Sequence, residues 1–563
     1  MSHLLTVSDA IASHARLQPL KIGARDSQRS LSFADWNDRA SRLANGLLGL
    51  GLAKGDRVLL LAYNCVEWME IYVALARVGL VAVPVNFRLL VSEIAYIAAH
   101  SEARAIIVQD DLRDRVETLH ADSPINANCW IHFGTVTPDG WQGYEALIAN
   151  SPATRAPTSP AQDVKPQDPF ALMYTSGTTG RPKGAIRNHE GNALLALATA
   201  LEFGFSRDDT GLLVMPMCHA NSLYFGLTFM YLGATVVVDD RKSFDPEGLL
   251  ETLARDKVTF TSLVPTHYIM MLALPDAARA RHDISAVGKL LISSAPARKD
   301  TKLAILAHFA NSRLFELYGA TETGWVTLLR PDEQIKRLGS VGREWAGSGA
   351  IRILDPEGQE VPDGDVGELF SRTSYIFDGY WKNPEETAKV FDGEWFKTGD
   401  IGEFDEDGYL SITGRKKEII VTAGGKNVSP AQLEDPIRAN PIVDQVIAVG
   451  EQKPFIAALI TLDDEMLPVW LNNNGEDPNM PIEEAARHPK VVAEIQRAVD
   501  AANTTVSRAE SIRKFVILTR ELTEASGHLT PKMSIKRNVI LMDFAPDIES
   551  MYQGAPATEG ISI

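Results

Sequence analysis

The sequence predicts an α/β protein with a large N-terminal domain of layered α/β subdomains and a smaller α+β C-terminal domain. A chain of 563 residues exceeds the about 250–300 residues at which a single core stops growing. From residue 31 onward, helix-like stretches such as 32–50 alternate with short apolar strands such as 57–61 and 105–108, which favours parallel α/β layers. Near Thr413 a strand-and-turn region gives way to a basic cluster. We therefore predict domains at residues 1–413 and 414–563.

Composition narrows the class of partner. Hydrophobic residues make up 45% of the chain and charged residues 23%, which is typical of a globular protein. Acidic residues outnumber basic ones 73 to 55, for a formal charge of −18, and that field argues against nucleic acid. The three cysteines are far apart, so neither a disulfide framework nor a zinc site is indicated. We expect a cytoplasmic protein.

Individual segments give further expectations. Residues 1–19 read as an amphipathic first helix rather than a leader peptide. Residues 210–238 contain no Asp, Glu, Lys or Arg and could span a bilayer by length. Their polar interior instead predicts a strand, a turn, a helix and a β-branched strand. Residues 150–169 have the composition of a surface linker, and residues 482–506 predict one helix. We therefore expect no transmembrane segment, and peripheral membrane contact is left open.

Residues 174–184 read Tyr-Thr-Ser-Gly-Thr-Thr-Gly-Arg-Pro-Lys-Gly and follow an apolar stretch. Glycines let the backbone approach an anion, while hydroxyls and a lysine supply donors. The segment lacks the Gly-Lys-Ser/Thr ending of a Walker A loop. Its composition indicates a triphosphate-binding loop, and the alternative is a flexible surface turn.

Four further motifs follow in order. They are Ser-Ser-Ala-Pro at 293–296, Leu-Tyr-Gly-Ala-Thr-Glu-Thr at 317–323, Trp-Phe-Lys-Thr-Gly-Asp at 395–400 and Gly-Arg-Lys-Lys-Glu at 414–418. Together with the loop, they resemble the adenylate-forming superfamily of acyl-CoA synthetases, luciferase-type enzymes and nonribosomal-peptide adenylation domains. The resemblance runs through nearly the whole chain. It implies the adenylate-forming fold, with a C-terminal domain that moves between two half-reactions.

The resemblance also implies an ATP site. Tyr318 would stack on adenine, and its neighbours would line the base mainly through backbone groups. The residues implied for ATP are Thr175, Ser176, Gly177, Thr178, Thr179, Gly180, Lys183, Ala295, Pro296, Glu316, Leu317, Tyr318, Gly319, Asp400 and Arg415.

Glu322 resembles the family's magnesium ligand, and an oxygen ligand suits this hard cation. Thr321 would contact the α-phosphate. A lone glutamate on a glycine-bounded turn would otherwise be a solvated charge. The resemblance therefore implies Mg²⁺ and ATP as cofactors, with both residues at the reacting phosphates.

Asp400 resembles the carboxylate that accepts both ribose hydroxyls, a role suited to an acceptor-only group. The alternative is an aspartate that caps the turn after Thr398-Gly399. Arg415 resembles a ribose-contacting arginine, and Lys417 occupies the family's hinge position. Both could instead be solvated charges.

His219 matches a position that borders the acyl pocket and helps to gate entry. An isolated histidine is more often packed or hydrogen-bonded than catalytic, so we assign it to the pocket lining. The reaction needs no general base, because a carboxylate is already ionised at neutral pH.

The C-terminal motif departs from the family pattern Pro-x-Gly-Lys. Alignment on Thr530-Pro531 puts Ser534 where the lysine belongs, and a neutral hydroxyl cannot supply the positive charge. Lys532 and Lys536 are each two residues away and would share a face with Ser534 in an extended chain. We hypothesise that Lys532 replaces the missing lysine; the alternative is a slow first half-reaction.

The segment 421–430 differs from that of short-acyl members and is closer to the long-chain type. In the family this loop lines the pantetheine tunnel, where glycines permit close approach. Gly424 and Gly425 are therefore the candidates for binding coenzyme A. The alternative is a flexible turn.

We predict an acid–thiol ligase that converts a carboxylic acid and MgATP into acyl-AMP and pyrophosphate, then transfers the acyl group to coenzyme A. A fatty acid is favoured weakly by Leu223, Phe225 and Trp325 near the expected pocket, although these side chains could be core. The alternatives are an aryl acid, an adenylating module that loads a carrier protein, and an adenylate-binding protein without turnover. The expected assembly is a monomer or homodimer.

Overall fold

The computed structural model describes residues 5–120, 125–154, 163–175, 181–293, 299–345, 347–524, 526–529 and 535–553. The chain folds into two compact units. The first comprises Met1–Arg352, Phe370–Thr398 and Phe404–Ser411, and the second comprises Ile353–Leu369, Gly399–Glu403 and Ile412–Ile563.

Helices and strands alternate through the first 150 residues, as the sequence predicts. In chain order they are α1 (Val7–Leu17), β1 (Ile22–Arg25), β2 (Ser30–Ser32), α2 (Phe33–Gly49), β3 (Arg57–Leu61), α3 (Glu67–Val78), β4 (Val81–Pro84), α4 (Val91–Ser101), β5 (Ala103–Gln109), α5 (Asp114–Glu117), β6 (Trp130–Phe133), β7 (Gln142–Gly143) and α6 (Tyr144–Asn150).

The alternation continues to residue 329. The elements are β8 (Pro169–Thr175), β9 (Lys183–Asn188), α7 (His189–Phe203), β10 (Thr210–Leu213), α8 (Ala220–Leu232), β11 (Thr235–Val238), α9 (Pro246–Arg255), β12 (Phe260–Leu263), α10 (Pro265–Leu272), α11 (Asp276–Arg279), β13 (Lys289–Ile292), α12 (Lys299–His308), β14 (Arg313–Ala320) and β15 (Gly324–Leu329).

Shorter elements follow, and four of the strands given next, β16, β17, β19 and β20, contain residues of both units. The elements are β16 (Ile351–Leu354), β17 (Gly367–Ser371), α13 (Pro384–Val390), β18 (Phe391–Asp392), β19 (Trp395–Phe404), β20 (Leu410–Arg415), β21 (Ile420–Val421), β22 (Asn427–Val428), α14 (Pro430–Arg438), β23 (Val443–Val449), β24 (Ile456–Leu462), α15 (Met466–Asn473), α16 (Ile482–Ala485), α17 (Pro489–Asn503), β25 (Ile512–Leu518), α18 (Arg537–Asp543) and α19 (Ala545–Tyr552).

Two large sheets form the framework of the first unit. One has the order β7-β6-β5-β3-β4-β8-β9 and the other β15-β14-β13-β12-β10-β11-β1-β2. Pairing is parallel within both sheets except for the hairpins β8–β9, β14–β15 and β1–β2. Strand β3 is buried from Val58 to Leu61, as expected for a parallel sheet covered on both faces. The predicted α/β fold with a separate smaller C-terminal part is confirmed.

The apolar segment 210–238 folds as predicted into β10, a turn, α8 and β11. In the part of the chain that the structure describes, no helix is both long enough and apolar enough to cross a bilayer. Helix α8 is instead buried inside the hydrophobic core of the first unit.

In the second unit, β23, β24 and β25 form a three-stranded sheet, against which α14 and α17 bury their apolar faces. The prediction of one helix across residues 482–506 is wrong, since α16 ends at Ala485 and α17 starts at Pro489. Proline disfavours the helical conformation in the residue before it, and His488 is extended (φ −69°, ψ 127°).

Candidate active site

The β8–β9 hairpin carries the residues on both sides of the predicted triphosphate loop. Thr175 ends β8 and is the direct antiparallel partner of Lys183, which begins β9. Residues 176–180 lie outside the described residues, so the ATP-binding roles of Ser176, Gly177, Thr178, Thr179 and Gly180 stay predictions. The backbone pairing brings the Thr175 hydroxyl and the Lys183 ammonium to the same end of the hairpin.

Lys183 already has an anionic partner. Its ammonium forms an ion pair with Glu386, in the first turn of α13. Hydrogen bonds from Lys183 and Lys389 lower the pKa of the Glu386 carboxyl to about 2, so this carboxylate is ionised at neutral pH. A phosphate that binds Lys183 has to compete with Glu386.

The second hairpin, β14–β15, carries the predicted adenine and metal residues. Leu317, Tyr318 and Gly319 lie on β14, and Thr321 and Glu322 form the turn. Only glycine fits at position 319, because an added Cβ would lie 2.2 Å from the carbonyl oxygen of Gly324. The two strands of the hairpin therefore approach each other closely at the base of the turn.

The carboxylate of Glu322 is the centre of a small polar cluster. Its Oε1 accepts hydrogen bonds from Thr175 Oγ1 at 3.2 Å and from Tyr380 Oη at 3.1 Å. Burial and the nearby Glu322 carboxylate raise the pKa of Tyr380, so its hydroxyl remains a donor. The structure thus brings Thr175, Lys183 and Glu322 together around Tyr380, whose ring centroid lies 5.2 Å from Lys183 Nζ.

Buried side chains and one backbone amide donate hydrogen bonds to the carbonyl groups of the 321–322 turn. Arg187, only 1% exposed, donates from Nη1 to the Glu322 carbonyl at 3.2 Å. Tyr224 Oη donates to the Thr321 carbonyl at 2.9 Å, and the Phe377 N–H donates to the Glu322 carbonyl at 2.8 Å. These three contacts all go to backbone carbonyl groups of the turn, and none of them uses the side chain of Thr321 or Glu322.

Sequence reasoning missed Arg187, Tyr224 and Tyr380. Arg187 follows the short apolar stretch 184–186 and precedes Asn188, so the local pattern does not indicate that its side chain is buried. Nothing in the local pattern at 224 or 380 indicates a contact with the turn at 321–322.

The Glu316 side chain contacts helix α12. Its carboxylate, 4% exposed, forms an ion pair with Lys302 of α12, which is fully buried. The side chain of Glu316 therefore points at α12, and an adenine contact from this residue would come from its backbone, as predicted. The predicted partners Ala295 and Pro296 lie outside the described residues.

His219 is half-buried at the N-cap position of α8. Nearby, the Met217 N–H donates to Asn64 Oδ1 at 2.8 Å. Leu223, Phe225 and Trp325 are buried, and the rings of Phe225 and Trp325 pack with centroids 5.5 Å apart. These three residues are core, which removes the weak support that they gave to a fatty acid.

In the second unit, Asp400 and Arg415 form an ion pair with an Nε–Oδ1 distance of 2.8 Å. The Asp400 side chain is 7% exposed and the Arg415 side chain 60%. Asp400 lies within β19 rather than capping a turn, although the preceding Gly399 has a positive φ of +72°. A buried carboxylate beside an exposed guanidinium suits recognition of neighbouring hydroxyl groups.

Lys417 lies in a short 3₁₀ turn, Lys416–Glu418, and is exposed. Gly424 and Gly425 are exposed in the turn between β21 and β22. Gly425 has a φ of +77°, a conformation that other residues rarely adopt. Hydrogen bonds from the backbone of this turn to Thr422 close it, including Gly425 N–H to Thr422 O at 2.8 Å.

Lys532 and Ser534 lie outside the described residues. The chain on either side is paired, since Leu529 and Ile535 form an antiparallel bridge. Arg537 then makes a two-pronged ion pair with the buried Glu434, at 2.7 and 2.9 Å. The hypothesis that Lys532 replaces the missing lysine therefore stays a prediction.

The donor set suits a magnesium ion. Two hydroxyl groups, those of Thr175 and Tyr380, contact the Glu322 carboxylate, and hard cations prefer oxygen ligands. Within the described residues, no group of three or more His, Cys, Asp or Glu side chains could hold a metal. Mg²⁺ characteristically binds through one or two carboxylates together with substrate phosphates, and Glu322 could supply that single carboxylate.

Comparison with known proteins agrees with this geometry. Residues 11–381 match the family described as AMP-binding enzyme, and residues 417–556 match the AMP-binding enzyme C-terminal domain. The chain is 33% identical over 560 residues to long-chain-fatty-acid–CoA ligase FadD15 of Mycobacterium bovis, covering 90% of each chain. It is 32% identical over 448 residues to indoleacetate–CoA ligase of Aromatoleum aromaticum, covering 79% of this chain and 85% of the relative.

The fold is also shared with a solved structure, that of the anthranilate CoA ligase AuaEII in complex with anthranoyl-AMP. The TM-score is 0.82 at 23% identity, and the match covers 98% of this chain and 99% of the other.

Proposed function

Because the chain belongs to the AMP-binding enzyme family, as an adenylate-forming acid–thiol ligase of the acyl-CoA synthetase type, we propose that it activates a fatty acid with ATP and passes the acyl group to coenzyme A. The observation that carries the proposal is the polar cluster of Thr175, Lys183, Glu322 and Tyr380. Thr175 and Lys183 flank the glycine-rich segment in the sequence. The cluster combines a cation for phosphate with a carboxylate for a metal. The proposed division of labour assigns ATP and acid binding to residues 1–413, and completion of both half-reactions to residues 414–563.

In the first half-reaction, a carboxylate oxygen attacks the α-phosphorus, the bond to the β-phosphate oxygen breaks, and pyrophosphate leaves with its electron pair. No proton is transferred, so alignment and charge neutralisation supply the catalysis. Lys183 exchanges Glu386 for a phosphate oxygen, and Thr321 contacts the α-phosphate. Glu322 would hold Mg²⁺, which supplies charge neutralisation at the phosphates when bound.

The nucleoside is held by different groups. Asp400 accepts the ribose hydroxyls with Arg415 beside it, an arrangement supported by their 2.8 Å ion pair. Adenine is lined by Ala295, Pro296 and the strand from Glu316 to Gly319, with Tyr318 stacked on the base. Orientation of the base and sugar then sets the α-phosphate in line with the acid.

In the second half-reaction, the coenzyme A thiolate attacks the acyl carbon, and AMP leaves with the electrons of the broken carbon–oxygen bond. Lys417 is the proposed hinge for the domain movement between the two steps. Gly424 and Gly425 would let the pantetheine chain approach the backbone closely, since both are exposed. His219 would border the acyl chain.

The proposed acid is a fatty acid because FadD15, which matches over 90% of this chain, is a long-chain-fatty-acid–CoA ligase by name. The indoleacetate–CoA ligase relative keeps an aryl acid as the second candidate. We place the reaction in the cytoplasm, with the protein as a monomer or homodimer.

A panel of acids tests the substrate and the acceptor together. Fatty acids of graded chain length, indoleacetate and a cinnamate would be incubated with the full chain and MgATP, with and without coenzyme A. We expect AMP and an acyl-CoA to form with at least one fatty acid, measured by chromatography. Acyl-CoA from aryl acids alone would favour the second candidate. Acyl transfer only to an added carrier protein would contradict the acceptor, and absence of AMP with every acid would contradict adenylation itself.

The identity of the C-terminal lysine is a separate prediction. Replacing Lys532 with alanine is expected to lower the pyrophosphate-exchange rate about 10- to 100-fold, because hydrogen bonds to charged groups contribute about 1.5–3 kcal/mol. Lys536→Ala is the matched control, since it removes the same charge two residues to the other side of Ser534. Exchange by Lys532→Ala at the parent rate would eliminate the assignment, and a loss confined to Lys536→Ala would transfer it to that residue.

A further inference from the structure

Tyr380 contacts two side chains of opposite charge. Its hydroxyl donates to Glu322 Oε1 at 3.1 Å, and its ring centroid lies 5.2 Å from the ammonium of Lys183. The two charged residues come from different sheets, Lys183 from the start of β9 and Glu322 from the β14–β15 turn. One aromatic side chain therefore touches both charges that the proposed reaction uses.

The position of the ring is set by its backbone. Tyr380 forms an antiparallel bridge with Ala185, and backbone hydrogen bonds of 2.8–3.0 Å join residues 378–381 to residues 184–186. This segment is in effect an extra edge strand on β9. The ring also packs edge-on against Phe377, with centroids 5.0 Å apart. The side chain is thus held in place by more than its contact with Glu322.

Lys183 and Glu322 need different partners in the proposed reaction, a phosphate for the ammonium and a metal ion for the carboxylate. A direct ion pair between them would neutralise both, and the attraction between opposite charges grows as water is excluded. An aromatic ring can face the ammonium, while its hydroxyl satisfies one carboxylate oxygen. A tyrosine at this point therefore contacts both charges without neutralising either one, while Lys183 stays paired with Glu386 until a phosphate displaces that carboxylate.

We propose that Tyr380 is a positioning residue that keeps Lys183 and Glu322 from pairing and orients the Glu322 carboxylate toward the metal bound with ATP, an inference that rests on the proposed function. The hydroxyl of Tyr380 orients the Glu322 carboxylate, and its ring lies beside the Lys183 ammonium and keeps it from pairing with that carboxylate. Each part can be removed by a different substitution.

The test is metal-nucleotide binding by the full-length protein in the absence of acid, so that ATP is not consumed. Electron paramagnetic resonance measures Mn²⁺-ATP binding, and calorimetry measures ATP binding in EDTA. Tyr380→Phe is expected to weaken Mn²⁺-ATP binding about tenfold, the size of one hydrogen bond to a charged group, and to leave metal-free ATP binding unchanged. Tyr380→Leu, which also removes the ring, is expected to weaken both.

A double-mutant cycle separates this role from a general effect on folding. In a Glu322→Gln background, Tyr380→Phe should have no further effect on Mn²⁺-ATP binding, because the two residues act as one unit. Tyr409→Phe is the matched control, since Tyr409 also donates to a glutamate, Glu333, at 2.8 Å. It should bind Mn²⁺-ATP like the parent.

Three results would overturn the role of Tyr380: parental Mn²⁺-ATP binding by Tyr380→Phe, an equal loss of metal-free ATP binding, or a full effect that persists in the Glu322→Gln background. Failure of the proposed function looks different. In that case the parent protein itself forms no AMP with any acid in the panel, whatever the variants do.

Discussion

Replacing Glu322 with glutamine is expected to lower the rate of acid-dependent pyrophosphate exchange about 100- to 1,000-fold, the loss typical of removing one group that stabilises developing charge. Glutamine keeps the side-chain oxygen that can accept from Thr175 and Tyr380. It removes the negative charge that a hard cation requires. The same variant should need a higher Mg²⁺ concentration for half-maximal exchange, because its affinity for the metal is lower.

Glu251→Gln is the matched control for this experiment. Glu251 lies on α9 and is exposed, and the change removes the same charge. It should exchange pyrophosphate at the parent rate and with the parent Mg²⁺ dependence. A Glu322→Gln protein that behaves like this control would show that the carboxylate is not the metal ligand.

Asp400→Asn is expected to weaken ATP binding about 100- to 1,000-fold. Two hydrogen bonds from the ribose to a carboxylate are replaced by contacts with a neutral amide, and each charged bond contributes about 1.5–3 kcal/mol. Stability should change little, because asparagine is similar in size to aspartate and keeps a side-chain oxygen that can accept from Arg415, whose side chain is 60% exposed. Calorimetric titration with ATP measures the affinity, and thermal unfolding measures the stability.

Deoxynucleotides make the assignment specific to the ribose. The parent protein should bind 2′-deoxy-ATP and 3′-deoxy-ATP less tightly than ATP, and Asp400→Asn should discriminate much less between the three. Asp435→Asn is the control, since Asp435 also pairs with an arginine, Arg438, at 2.9 Å. If Asp400→Asn still prefers ATP to the deoxynucleotides as strongly as the parent does, a group other than Asp400 binds the ribose hydroxyls.

Much of the fold could be read from local patterns. The strand at β3, the helix at α2 and the division of residues 210–238 into strand, turn and helix each depend on the periodicity of a short stretch. The helix predicted across residues 482–506 failed at Pro489, where the effect of a proline on its preceding residue outweighed the helical pattern. In these examples, prediction from the local sequence succeeded where a single hydrophobic pattern was present. It failed where a helical pattern and a proline favoured different conformations.

The candidate site divides in the same way. Glu322, Lys183 and Asp400 were identified from short motifs, because each belongs to a contiguous segment with a recognisable composition. Tyr380 and Arg187 carried no such signal. Their importance comes from contacts with a turn that lies 58 and 135 positions away along the chain, which no local pattern contains.

The sequence by itself determined the fold class, the family and the segments that carry the candidate phosphate-binding and metal-binding residues, since these depend on residue types at short spacing. Only the tertiary structure decided that Leu223, Phe225 and Trp325 are core, that Asp400 lies in a strand facing Arg415, and that Tyr380 stands between Lys183 and Glu322. The physical reason is that burial and charge pairing depend on which strands and turns become neighbours. That is settled when the sheets assemble, and not within any one segment.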